Sequence, residues 1–171
     1  MRDGTETRAA FLARFGHVAE YSPWVAEAAW KAAPFSTVEE VVNAFRQAIV
    51  DAPERQLMAL IRAHPDLAGT VAVAGELGPQ SSSEQASAGL DRLSTDDFDR
   101  FTRLNSAYRA RFGFPFIICA REHTLESILD RFERRLDHDP RREVETARDE
   151  IVKIVELRIR DQSLTDERSR N

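Results

Sequence analysis

One local pattern, repeated along the chain, constrains the fold most: a helix-start signal followed by apolar residues three and four positions apart. Thr5 or Thr7 precedes Phe11, Leu12, Phe15 and Val18, which predicts a first helix to about Ala19. Ser22 precedes Pro23, a residue suited to the first helical position, and Trp24, Ala28 and further apolar residues to Ala33 predict a short buried helix. Ser36 or Thr37, with Glu39 and Glu40 behind it, opens a third helix that turns Val41, Val42, Phe45 and Ile49 inward. Pro53 begins a helix that ends at His64. Ser94 or Thr95 caps one through Phe98, Phe101, Leu104 and Tyr108 to Phe112-Gly113. Thr124 starts another with Leu125, Ile128, Leu129, Phe132 and Leu136, broken by His138-Asp139-Pro140. The last is predicted from about Arg141 to Asp161, with a frayed polar tail over 162–171. Only seven glycines and seven prolines accompany these segments, too few for a loop-dominated or all-β build. The expectation is an all-α protein, and 171 residues suit a single compact domain with its own core.

A net charge of −5 and a pI near 5.5 make nucleic acid and anionic membranes poor partners, leaving a small-molecule substrate or a protein. Cys119 is the one cysteine, so no intramolecular disulfide and no zinc-type Cys cluster is expected. No stretch approaches eighteen consecutive apolar residues, and Met1 to Glu6 lacks an apolar leader core, so a soluble intracellular protein is expected.

Against this background a few polar residues stand out. Leu57, Leu60, Ile61 and His64 lie at i, i+3, i+4 and i+7, so an apolar stripe ends in an imidazole. Pro65 disfavours helix at the residue before it, which leaves His64 in the last turn, where carbonyl dipoles favour the protonated ring. Two readings are open: a satisfied core histidine, or an acid–base group. From Asp66 to Gln80 no period is sustained, so this segment reads as a long loop, either a lid or a surface excursion. Ser81, Ser82 and Ser83 then precede Glu84 and Gln85. The spacing fits a capping box, yet the same groups could donate to an anion or orient a polar ligand, and a carboxylate near a histidine tunes its proton affinity. Phe114 to Ala120 is a short apolar run compatible with a buried strand or a core helix segment, and an extended form leaves backbone groups that a ligand could bond. In the last helix Arg158 shares a face with Ile151, Ile154 and Val155, whereas Arg160 points away. Arg158 is therefore either snorkelling or placed to grip a carboxylate.

Three of these motifs, His64-Pro65-Asp66-Leu67-Ala68-Gly69, Ser83-Glu84-Gln85-Ala86-Ser87-Ala88-Gly89-Leu90 and Phe112-Gly113-Phe114-Pro115-Phe116-Ile117-Ile118-Cys119-Ala120-Arg121, occur in an order that resembles the 2-oxo-4-hydroxy-4-carboxy-5-ureidoimidazoline (OHCU) decarboxylase family of urate breakdown. The resemblance covers about Thr5 to Asp161. It implies an all-α fold of about eight helices, a cofactor-free decarboxylation giving (S)-allantoin, no metal, and a homodimer. It also implies that His64 is the catalytic acid, grouped here with Glu84, and that substrate contacts come from Pro65, from Ser81, Ser82, Ser83, Glu84 and Gln85, from Phe116, Ile117, Ile118, Cys119 and Ala120, and from Arg158. Ser169-Arg170-Asn171 is not the peroxisomal S-K-L address found on many animal and plant members, so a bacterial-type cytoplasmic enzyme is expected. The alternatives on residues alone are a helical interaction module and a hydrolase in which His64 activates water.

Overall fold

A computed structural model describes residues 6–68 and 79–168. Among the described residues there are eight α-helices and no strand: α1 (Arg8–Phe15), α2 (Trp24–Trp30), α3 (Val38–Val50), α4 (Glu54–Ala63), α5 (Pro79–Ser87), α6 (Thr95–Phe112), α7 (Leu125–Arg135) and α8 (Pro140–Arg168). A 3-10 turn at Ala120–Glu122 precedes α7.

The predicted caps account for four of the eight helix starts. Thr7 Oγ1 accepts from the Ala10 N–H and Ser94 Oγ from the Asp97 N–H. Thr37 with Glu40, and Thr124 with Ser127, form reciprocal capping pairs. Each satisfies N–H groups that have no partner inside the helix, worth about 1 kcal/mol per cap. α6 stops at Gly113, whose φ of 75° suits a residue without Cβ and whose N–H bonds the Arg109 carbonyl.

Other boundaries differ from the sequence reading. α1 ends at Phe15 rather than near Ala19, and Pro23 itself caps α2 with no side-chain bond from Ser22. α5 begins at Pro79, so Ser81 to Gln85 lie inside a helix and are not its capping box; the segment predicted as loop ends two residues early. The possible lid falls mainly on 69–78, outside the described residues. α8 continues to Arg168, seven residues past the predicted end, with Ser163 and Thr165 hydroxyls bonding carbonyls one turn back. Those polar residues break the apolar stripe without breaking the backbone ladder.

Contacts fall into two compact units, His64–Glu150 and the remainder, which comprises the chain up to Ala63 and from Ile151 onward. In the second of these Phe11 is fully buried, its ring 5.1 Å from those of Phe15 and Trp30 and 5.5 Å from that of Phe35. Leu60, Ile61, Ile151 and Ile159 are fully buried as well. On the surface of this unit Arg160 grips Glu39 through both guanidinium nitrogens, at 2.6 and 2.7 Å, and also bonds Glu156. That bidentate bond holds the Glu39 carboxyl below its ordinary value. The pair is open to solvent, so its effect on stability is small.

In the unit His64–Glu150, Tyr108, Phe101 and Phe132 are fully buried, and Phe116 stacks on Phe132 with centroids 3.8 Å apart. Beneath this stack is a buried charge cluster. Glu143, fully buried, accepts bonds from the Tyr108 hydroxyl and from Arg135 Nε (2.8 Å), and meets His138 Nδ1 at 2.7 Å. Burial, helped by the neighbouring carboxylate, pushes the Tyr108 phenol far above its ordinary value of 10.0. Its contribution to stability is therefore complete below about pH 10 and falls as pH rises further, because the unfolded chain then releases a proton that the folded chain keeps. Denaturant unfolding at pH 8 and pH 11 is expected to show this loss, and Tyr108→Phe to reduce it; an equal alkaline slope in both proteins would contradict the assignment.

Candidate active site

His64 follows the last residue of α4 and is 6% exposed; Leu57, Leu60 and Ile61 on the same stripe are also buried, as the heptad-like spacing requires. Past it the chain turns sharply. Leu67 and Ala68 are buried, and Ala68 adopts a left-handed φ of 49°, which costs an L-residue about 1–2 kcal/mol.

That turn is held by side chains from two helices of the same unit. Gln85 of α5 accepts the Ala68 N–H at 3.0 Å, and Asn105 of α6 donates to the Leu67 carbonyl at 2.9 Å. Arg109, one turn beyond Asn105, donates through Nε to both carboxylate oxygens of Asp66, at 2.9 and 3.0 Å. Within α5, Ser81 and Gln85 are buried at i and i+4, Glu84 is half-buried beside them, and Ser82 and Ser83 are exposed. The helical phase thus divides the five polar residues, turning three toward the protein and two toward solvent.

Phe116, Ile117, Ile118, Cys119 and Ala120 are all buried, but Phe116 to Cys119 form neither strand nor helix and Ala120 opens the 3-10 turn. Backbone outside helix and sheet needs partners, and two come from buried ions: Arg135 Nη1 donates to the Ile117 carbonyl at 2.6 Å, and Glu150 accepts the Cys119 N–H at 2.8 Å. The Arg135 guanidinium also lies over the Phe116 ring, 4.4 Å from its centroid. The 3-10 turn that closes the run packs against α5. One unit therefore brings together His64 to Ala68, the inward face of Ser81 to Gln85, and the end of the Phe116 to Ala120 run.

Sequence reasoning missed Asn105, Arg109, Arg135, Glu143 and Glu150. For Arg135 a signal existed: it follows Ile128 and Phe132 at offsets of seven and three, on the inward face of α7.

Arg158 belongs to the other unit. Its side chain is 3% exposed, donates to the Val18 carbonyl at 3.1 Å and pairs with Glu20 at 3.0 Å. It does not snorkel: it is buried and grips a carboxylate of its own chain. The same unit has a groove of about 500 Å³, whose lining includes Ala28 and Ala29 of α2, Ala44 and Ala48 of α3, Trp24 and Pro53, and none of the site residues nominated from sequence. No group of three His, Cys, Asp or Glu side chains among the described residues could hold a metal, and no described helix is long and apolar enough to cross a membrane.

Comparison with known proteins gives a consistent result. The family model for OHCU decarboxylase matches residues 5–160. A 2-oxo-4-hydroxy-4-carboxy-5-ureidoimidazoline decarboxylase from Haloferax volcanii is 44% identical over 149 residues, spanning 87% of this chain and 86% of the relative. One from Mus musculus is 40% identical over 151 residues, spanning 88% and 85%. Among solved structures, (S)-allantoin synthase superposes with a TM-score of 0.73 at 27% identity, covering 92% of this chain and 51% of that one. OHCU decarboxylase crystallised in the presence of (S)-allantoin gives 0.69 at 27% identity, covering 83% and 92%.

Proposed function

The chain belongs to the OHCU decarboxylase family, and on that premise we propose that it decarboxylates 2-oxo-4-hydroxy-4-carboxy-5-ureidoimidazoline to (S)-allantoin with no cofactor, using His64 as the acid–base group. The observation that carries this reading is the junction of the three motifs in one unit, with the turn after His64 bonded to the α5 helix through Gln85.

The chemistry makes modest demands. The carboxylate sits on a carbon that also bears hydroxyl, next to a carbon–nitrogen double bond. As carbon dioxide leaves, the bonding pair becomes a carbon–carbon double bond, and the imine pair moves to the ring nitrogen, which takes a proton. The enol then gains a proton at the ureido-bearing carbon while its hydroxyl proton leaves, giving the carbonyl of allantoin. Every electron sink is in the substrate, so the protein has to orient the ring and move protons. His64 is the proton carrier, a role typically worth about 10²–10⁴-fold. Glu84 is grouped with it as a catalytic residue, and Pro65, Ser81, Glu84, Gln85 and the backbone of Phe116, Ile117, Ile118, Cys119 and Ala120 orient the ring; Ser82 and Ser83 are assigned to the site only on the family's pattern. A homodimer and a cytoplasmic setting are further proposals, supported by family membership.

Substrate generated in situ, in buffer containing EDTA, tests the reading. Accelerated release of carbon dioxide supports it; release of the ureido group instead would identify a hydrolase, and an unchanged rate would point to an interaction module.

Arg158 is proposed to hold an anionic group of the substrate. In folded protein, Arg158→Gln is expected to weaken binding of a substrate analogue several-fold or more, whereas Arg160→Gln, which alters a surface cluster, should leave binding nearly unchanged. Equal effects in a calorimetric titration would remove Arg158 from the site.

A further inference from the structure

Asn105 interrupts an aromatic stripe. Phe101 and Tyr108, four residues before it and three after, are fully buried on the same face of α6, and Asn105 is itself only 8% exposed. A primary amide in such surroundings is a stability cost unless its polar atoms are bonded, and Asn105 is bonded on one side only. Its amide N–H meets the Leu67 carbonyl, while its Oδ1 has no donor among the described residues. An apolar side chain of equal size would pack there without that cost. What Asn105 supplies is its grip on Leu67.

The Leu67 carbonyl and the Ala68 N–H belong to a single peptide group. Asn105 holds one pole of that group and Gln85 the other, from two different helices, so the plane cannot rotate without breaking both bonds. The residue that follows is the left-handed Ala68, a conformation that persists only where neighbours impose it. Arg109 fixes Asp66 from the next turn of α6. Between this clamp and His64 stands only Pro65, whose ring fixes φ. Little torsional freedom separates the clamped residues from the imidazole.

We propose that Asn105 is a positioning residue for His64: with Gln85 and Arg109 it locks Asp66, Leu67 and Ala68, and through Pro65 it sets where the His64 ring sits during proton transfer. The inference rests on the assignment of His64 as the proton carrier. A displacement of about 1 Å at such a group can lower a rate by about 10²-fold without weakening binding.

Asn105→Leu preserves volume and removes both the donor and the unbonded acceptor. It is expected to fold with a transition temperature within a few degrees of the parent, and to keep KM within about threefold while kcat falls about tenfold or more. The pH–rate profile should move, and the His64 ring resonances of the ligand-free protein should shift in NMR spectra. Unchanged resonances together with kcat within about twofold of the parent would overturn the proposal. If Asn105→Leu does not fold, Arg109→Gln, on a partly exposed residue, provides the same test: a several-fold fall in kcat at constant KM supports the clamp, and an unchanged kcat overturns it. The resonances of His64 report on positioning even if the wild-type protein proves unable to decarboxylate this substrate, so failure of the clamp and failure of the functional reading give different results.

Discussion

Replacing His64 by asparagine is expected to lower kcat by about 10²-fold or more while leaving the fold and most substrate binding intact. Asparagine approximates one edge of the ring in size and hydrogen bonding but cannot carry a proton between donor and acceptor near neutrality. If His64 only filled the end of the α4 stripe, the loss would appear in thermal stability, with turnover per folded molecule unaltered. The control is His17→Asn, at an exposed position, which should match the parent in both. His138 is not a neutral control despite lying outside the matched motifs, because its Nδ1 meets the buried Glu143 carboxylate.

Glu143 is the position where a single substitution should destabilise the fold most. Its carboxylate serves Tyr108, Arg135 and His138 with no exposure to solvent, and Arg135 is itself 5% exposed. Glu143→Leu would leave the Arg135 guanidinium buried without a counter-charge, a change that costs about 3–5 kcal/mol in comparable sites. For a chain of this length that corresponds to a fall in Tm of roughly 10 °C. The double substitution Arg135→Met with Glu143→Leu should recover much of the loss, since burying an ion pair contributes little net stability but stranding one member is costly. Full recovery is not expected, because Arg135 also bonds the Ile117 carbonyl and covers the Phe116 ring. Thermal unfolding of the single and double variants decides the matter: a single variant within 1 °C of the parent would show that the cluster does not hold this region together.

What could be read from the sequence was what is decided locally. Thr7, Thr37, Ser94 and Thr124 each bond an N–H three residues ahead, a geometry that depends on nothing outside one turn. The inward phases of Leu60, Ile61 and Arg158 followed from helical spacing in the same way. Ends of elements were less legible. α8 continues past Asp161 because backbone bonds do not require an apolar stripe, and α5 begins at Pro79 where the serines behind it imitate a cap. Least legible were pairings across long separations: Asn105 with Leu67, Arg135 with Ile117, Cys119 with Glu150. Nothing in residue type says which buried amide or ion will meet which backbone group; that is fixed by tertiary packing. The three motifs at the site were legible because they resemble a family pattern, while the clamp and the charge cluster beneath them were not.

The central claim, that this protein controls both loss of carbon dioxide and delivery of the following proton, is tested most directly by circular dichroism of the allantoin formed from substrate generated in situ. Unassisted decay passes through a planar intermediate open on both faces and should give a racemic product with no net signal. The wild-type protein should hasten disappearance of the substrate and produce a signal of one sign, that of (S)-allantoin, and His64→Asn should return the reaction toward the racemic background. A wild-type protein that accelerates decarboxylation but yields racemic allantoin would show that protonation occurs in solution, and His64 would then have no part in delivering that proton.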